Sequence, residues 1–141
     1  MTILSPDIAA PEPRPIARAM WRGFMGRCPH CGRGALFRAY LKASDACPDC
    51  GEVLHHHRAD DAPPYMTIFV VGHVLIALYV AAEDYGPELP AWAIGLIFAA
   101  LGGAMCLALL PRIKGALIGL QWALRMHGFH GPASTEGAQW R

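Results

Sequence analysis

The chain is 141 residues long, with 54% apolar and only 16% charged residues, against about 25% charged in an ordinary soluble domain. The charges crowd into residues 1–64 and 111–141 and leave the middle almost bare, which disfavours a single water-soluble core and points to a membrane. A formal net charge of +1 argues against a strongly basic nucleic-acid binder, which needs a surplus of Lys and Arg on one face.

Residues 1–15 hold four prolines and no periodicity, so they read as a disordered tail. No apolar core follows a basic start there, so this is not a signal peptide. In residues 16–26, Arg18 and Arg22 stand four apart with Ile16, Met20 and Phe24 near another face. That spacing predicts a short basic helix, either solvated or resting on a membrane surface.

Residues 27–58 carry the strongest signal. Cys28-Pro-His-Cys31-Gly is followed by Cys47-Pro-Asp-Cys50-Gly, with fifteen residues between Cys31 and Cys47. The spacing fits the paired C-x2-C pattern of a zinc site, and four thiolates close a tetrahedral sphere as a structural rather than catalytic zinc requires. The segment is too small for an adequate core, although Leu36, Phe37, Tyr40, Leu41 and Val53 can gather around short strands. Zinc binding, about 10–16 kcal/mol in zinc-finger peptides, supplies what is missing. Iron bound as in rubredoxin, disulfides, and two separate redox dithiols are the weaker alternatives. His55, His56 and His57 follow as a polar interfacial stretch or a transient metal site.

Two apolar segments come next. Residues 65–82 and 89–110 are free of formal charge and are 18 and 22 residues long, about 27 and 33 Å as helices, enough to cross a bilayer. Only residues 83–88 separate them, so they must form a tight antiparallel hairpin. The turn holds Glu83, Asp84 and Glu88 but no Lys or Arg, which puts both chain ends in the cytoplasm. Asp60 and Asp61, just before Pro63 and Pro64, suit the positive end of a helix.

His73 lies at the middle of the first segment, a costly place for an ionisable group. It is read either as a neutral imidazole bonded to a carbonyl or as a haem or copper ligand, with the former favoured. Gly95, Ala99 and Gly103 recur every four residues and predict a narrow face for close helix packing, within the hairpin or against a partner. Residues 112–129 place Leu117, Leu120 and Leu124 apart from Lys114, Gln121 and Arg125, the pattern of a separate amphipathic helix at the interface. Residues 130–141 read as a mobile tail. No nucleophile has a plausible base, and no glycine loop is built for phosphate; an enzyme is not expected. A membrane-tethered nucleic-acid-binding ribbon ranks last, because acids crowd the second knuckle.

The fold expected from these readings is a mainly α membrane protein: a small β zinc ribbon, a two-helix transmembrane hairpin and a C-terminal interfacial helix. The order RCPHCGRGALFRAYL, CPDCG, HRADDAPPY, the span with His73, and LPRIKGALIGLQWALRMHGF resembles the bacterial family called domain of unknown function 983, over about residues 20–130. The resemblance implies a small protein of the bacterial inner membrane with a zinc-ribbon head. It also implies an accessory or assembly role in a larger membrane complex such as cytochrome oxidase, whose genes often neighbour those of the family. His73, Asp60, Asp61, Gln121 and Trp122 become candidates for partner or cofactor contact on the same ground.

Overall fold

A computed structural model describes residues 13–54, 62–126 and 129. Five elements follow in order: helix α1 (Ile16–Phe24), strands β1 (Phe37–Ala39) and β2 (Lys42–Ala43), and helices α2 (Ala62–Tyr85) and α3 (Ala91–Ala123). The architecture is that expected: a ribbon with a four-cysteine cluster, joined to a hairpin of two long apolar helices.

The two long helices are apolar on all sides, and they are mostly exposed rather than buried in the chain's own core. Both are long and apolar enough to cross a membrane. Their mutual contact is light. Leu75 reaches into the space over Gly102, and the rings of Tyr79 and Phe98 meet edge-on with centroids 5.8 Å apart. Near the start of α2, the buried Thr67 returns its hydroxyl to the Pro63 carbonyl at 2.8 Å, a common way for threonine to hide its polar atom in a helix.

One joint differs from the sequence expectation. The segment expected to end at residue 110 and the interfacial helix expected to begin at 112 are one helix of 33 residues with Pro111 inside it, about 50 Å long. Proline removes the amide that would donate to the carbonyl four residues back and normally breaks or kinks a helix there. Here the Tyr40 hydroxyl, at the tip of the β1–β2 hairpin, donates to the Leu107 carbonyl at 2.9 Å. The orphaned acceptor is satisfied from outside, and α3 runs on. Its first 20 residues cover the roughly 30 Å of a bilayer core. The remainder projects as a limb that carries the ribbon.

On that limb α1 lies antiparallel. A Cβ placed on Gly23 would strike the Gly115 carbonyl, and one on Gly119 would strike that of Ala19. The two backbones therefore touch, and only small residues allow it. The triad Gly95, Ala99 and Gly103 does not serve the hairpin in this way: Gly95 and Gly103 face open space, and all three are exposed. Close packing uses Ala19/Gly23 and Gly115/Gly119 instead. The helix α1 ends where the Arg27 amide reaches back to Arg22 and that of Gly26 to Gly23, at 2.9 and 2.8 Å, with Gly26 at φ 72°. This closing motif turns the chain directly into the first cysteine pair.

Candidate metal centre

Each cysteine pair is a knuckle built the same way. The Gly32 amide donates to the Cys28 carbonyl at 2.8 Å and the Gly51 amide to that of Cys47 at 3.0 Å, with both glycines near φ 72°. A side chain would be strained in that left-handed conformation, which explains the glycine of each CPxCG unit. A short antiparallel bridge closes each loop, Arg27 to Ala35 in the first and Ala46 to Val53 in the second. Gly34 has a different task, since any Cβ there would run into the Sγ of Cys47.

The knuckles face each other and bring Cys28, Cys31, Cys47 and Cys50 together, with all four Sγ atoms within 4.8 Å of one another. Two cross-knuckle pairs are closer: Cys28 to Cys50 at 3.8 Å and Cys31 to Cys47 at 3.7 Å. A Zn–S bond of about 2.3 Å in tetrahedral geometry requires S···S edges of about 3.8 Å. The donor set and its spacing therefore fit one metal ion such as zinc. All four cysteines are free of disulfides.

Their electrostatic settings differ. Backbone amides of Gly34 and Arg33 pull the Cys31 thiol down to about 6; the Arg33 N–H lies 3.4 Å from its sulfur. Burial pushes the Cys28 and Cys50 thiols up. Where burial opposes ionisation, a bound cation supplies the compensating charge.

The centre is fastened to α3. Ile118, fully buried, completes the apolar cluster formed by Cys28, Leu36, Ala43, Cys47 and Leu54. Burying such a side chain is worth about 1.5–3 kcal/mol. Polar contacts surround it. Trp122 donates its indole N–H to Glu52 at 2.8 Å, and the Lys114 ammonium donates to the Leu41 carbonyl at 2.9 Å. Arg22 on α1 donates to the carbonyls of Pro29 and His30 at 3.2 and 2.6 Å, inside the first knuckle itself. Arg14 lies over the Trp122 ring, 4.2 Å from its centroid, and donates to the Trp122 carbonyl at 2.7 Å. Ribbon, α1 and the limb of α3 are thus one packed unit.

The other sequence candidates fall apart from the cysteine centre or into its support. Trp122 is a buried anchor of the ribbon, and Gln121 is half-buried beside it on α3. His73 is exposed on α2, with its Nδ1 2.8 Å from the Phe69 carbonyl and its ring 4.3 Å from that of Phe69. Asp60, Asp61 and the run His55, His56 and His57 lie outside the described residues. The supporting roles of Ile118, Arg22 and Glu52 were not read from the sequence, and Tyr40, expected in the ribbon's small core, is exposed and turned to Leu107 instead. Only the G-x-x-x-G of residues 115–119 carried a readable hint of the docking surface.

No curated protein and no solved structure matches the chain. The family model described as "Protein of unknown function (DUF983)" matches residues 37–122. The matched segment includes Cys47 and Cys50, all of α2 and α3 as far as Trp122, and it begins after the first cysteine pair. It covers more than half of the sequence, and the chain belongs to this DUF983 family.

Proposed function

We propose that this is an integral membrane protein of the bacterial inner membrane with both ends in the cytoplasm. A structural zinc at Cys28, Cys31, Cys47 and Cys50 holds a ribbon that serves as a docking surface, without catalysis, for a larger membrane complex. The observation that carries this reading is the bond set linking the ribbon to α3: Ile118 in its core, Trp122 to Glu52, Lys114 to Leu41 and Tyr40 to Leu107. A head fixed at a set height over the lipid presents a surface of defined orientation. The exposed stripe of Gly95, Ala99 and Gly103 gives a partner's helix a place to approach closely. A respiratory oxidase is the complex that the family resemblance favours.

Purification from native membranes in mild detergent tests the proposal. A defined membrane complex should accompany the chain in fixed proportion and be lost in Gly103→Leu and in Cys47→Ser. Recovery of the chain alone, or recovery in the aqueous fraction after a carbonate wash, would overturn it.

A further inference from the structure

The geometry points to a binding site for an anionic phospholipid headgroup where α1, the ribbon and α3 meet, with Arg112 as its phosphate ligand. A cavity of about 180 Å³ opens there, lined by Phe24, Met25, Gly26, Phe37, Pro111 and Arg112. Its depth is set by the sequence. Residues 89–110 hold no formal charge, and Arg112 is the first that follows, so it lies where an apolar core gives way to headgroups. This placement rests on the membrane reading above.

Three other cations of the junction are already engaged. Arg22 serves the carbonyls of the first knuckle, Lys114 holds Leu41 and Arg38 faces Asp45 at 3.6 Å. Among the described residues Arg112 finds only the face of Phe24, with the guanidinium carbon 6.0 Å from the ring centroid, and it is exposed. A guanidinium in that state offers a planar fork of donors suited to phosphate. The apolar walls beside it match the glycerol and first methylenes of a lipid rather than a free ion.

Charge selects the lipid class. Residues 13–44 carry seven Lys and Arg and no Asp or Glu, and residues 89–126 carry three and none. All the residues that line the cavity fall in these two stretches, and the ribbon acids Asp45 and Glu52 are turned to Arg38 and Trp122. A zwitterionic headgroup would bring a second cation into that field, whereas an anionic one would not.

Native mass spectrometry of the full chain, released from detergent micelles doped with palmitoyl-oleoyl phosphatidylglycerol or the matching phosphatidylcholine, reads the site. The zinc-loaded protein should retain one phosphatidylglycerol about fivefold over phosphatidylcholine. Arg112→Gln should abolish the preference, and Arg18→Gln, which removes one of the ten cations of the field but touches nothing in the cavity, should keep most of it. Equal retention of the two lipids, or equal losses in both variants, would overturn the inference while the protein stays in the membrane. Release by carbonate would instead overturn the membrane reading. Should Arg112→Gln lose its zinc, a headgroup-diazirine phosphatidylglycerol on the wild type decides. Crosslinks at Phe24–Phe37 and Pro111–Arg112 support the site, and crosslinks elsewhere sink it.

Discussion

The hydroxyl of Tyr40 donates to the carbonyl of Leu107, 2.9 Å away, and Leu107 is the residue whose helical partner Pro111 cannot supply a donor. A side chain from the ribbon thus completes a helix 67 residues later in the chain. Tyr40→Phe should leave that carbonyl without its donor at a cost of about 0.5–1.5 kcal/mol, lowering the thermal midpoint in detergent by a few degrees. In a Pro111→Ala background the restored amide serves Leu107, so the same change should cost almost nothing. The double-mutant cycle measures the difference. Equal costs in both backgrounds would show that Tyr40 does not sustain the helix.

The contrast between that joint and the cysteine site shows what could be read from sequence. The knuckles were legible because their chemistry is local: the ligands, the turn glycines and their spacing all lie within a few residues of each other. The two apolar helices were legible because their composition is uniform over their length. Helix continuity at Pro111 was not, since the local rule predicts a break and the compensating hydroxyl comes from a distant turn. Which small-residue face packs within the chain was not legible for a related reason. Gly95, Ala99 and Gly103 have the right spacing, but spacing does not say which surface meets a neighbour. The shorter pattern at Gly115 and Gly119 lay in a segment expected to sit at an interface, and its mate at Ala19 and Gly23 lay in a helix expected to be solvated or membrane-bound.

The two glycine faces should respond oppositely to bulk. Gly119→Leu forces a side chain into the Ala19 carbonyl and should push α1 off the limb, since overpacking costs about 1–3 kcal/mol or more. Trypsin should then cleave after Arg18 and Arg22 at least tenfold faster than in the wild type. Gly95→Leu meets open space and should leave cleavage unchanged. Faster cleavage in both, or in neither, would contradict the assigned faces.

Metal removal should unfold the head and spare the rods. The ribbon's apolar cluster is small, and its cysteines form part of it, so losing an ion worth about 10–16 kcal/mol leaves little to hold it. Helices α2 and α3 owe their backbone order to their own hydrogen bonds and, in the membrane reading, to lipid. A strong chelator should therefore release one zinc per chain and shift Trp122 emission as its bond to Glu52 is lost. The far-UV helical signal should fall only slightly. A large loss of helicity would show that the hairpin depends on the metal.

The four thiols should not react alike while the ribbon keeps its fold. Backbone amides of Gly34 and Arg33 hold the Cys31 thiol down at about 6, from an ordinary 9.0, while burial holds Cys28 up. A thiol whose folded value is depressed adds stability above its unfolded value, and that contribution is lost as pH falls from about 9 through 6. A thiol whose value is raised works the other way: its contribution is present below the unfolded value and disappears as pH rises past it. Near neutral pH, then, Cys31 is the thiolate and Cys28 the thiol. Because the thiolate is the nucleophile, a short iodoacetamide pulse at pH 7 at the onset of chelation, before the ribbon unfolds, should label Cys31 well ahead of Cys28, as peptide mass mapping would show. Added zinc should suppress both. It should do so less effectively as the pH is lowered, because protons compete for every ligand sulfur. Preferential labelling of Cys28 would mean that the Gly34 and Arg33 amides do not set the order.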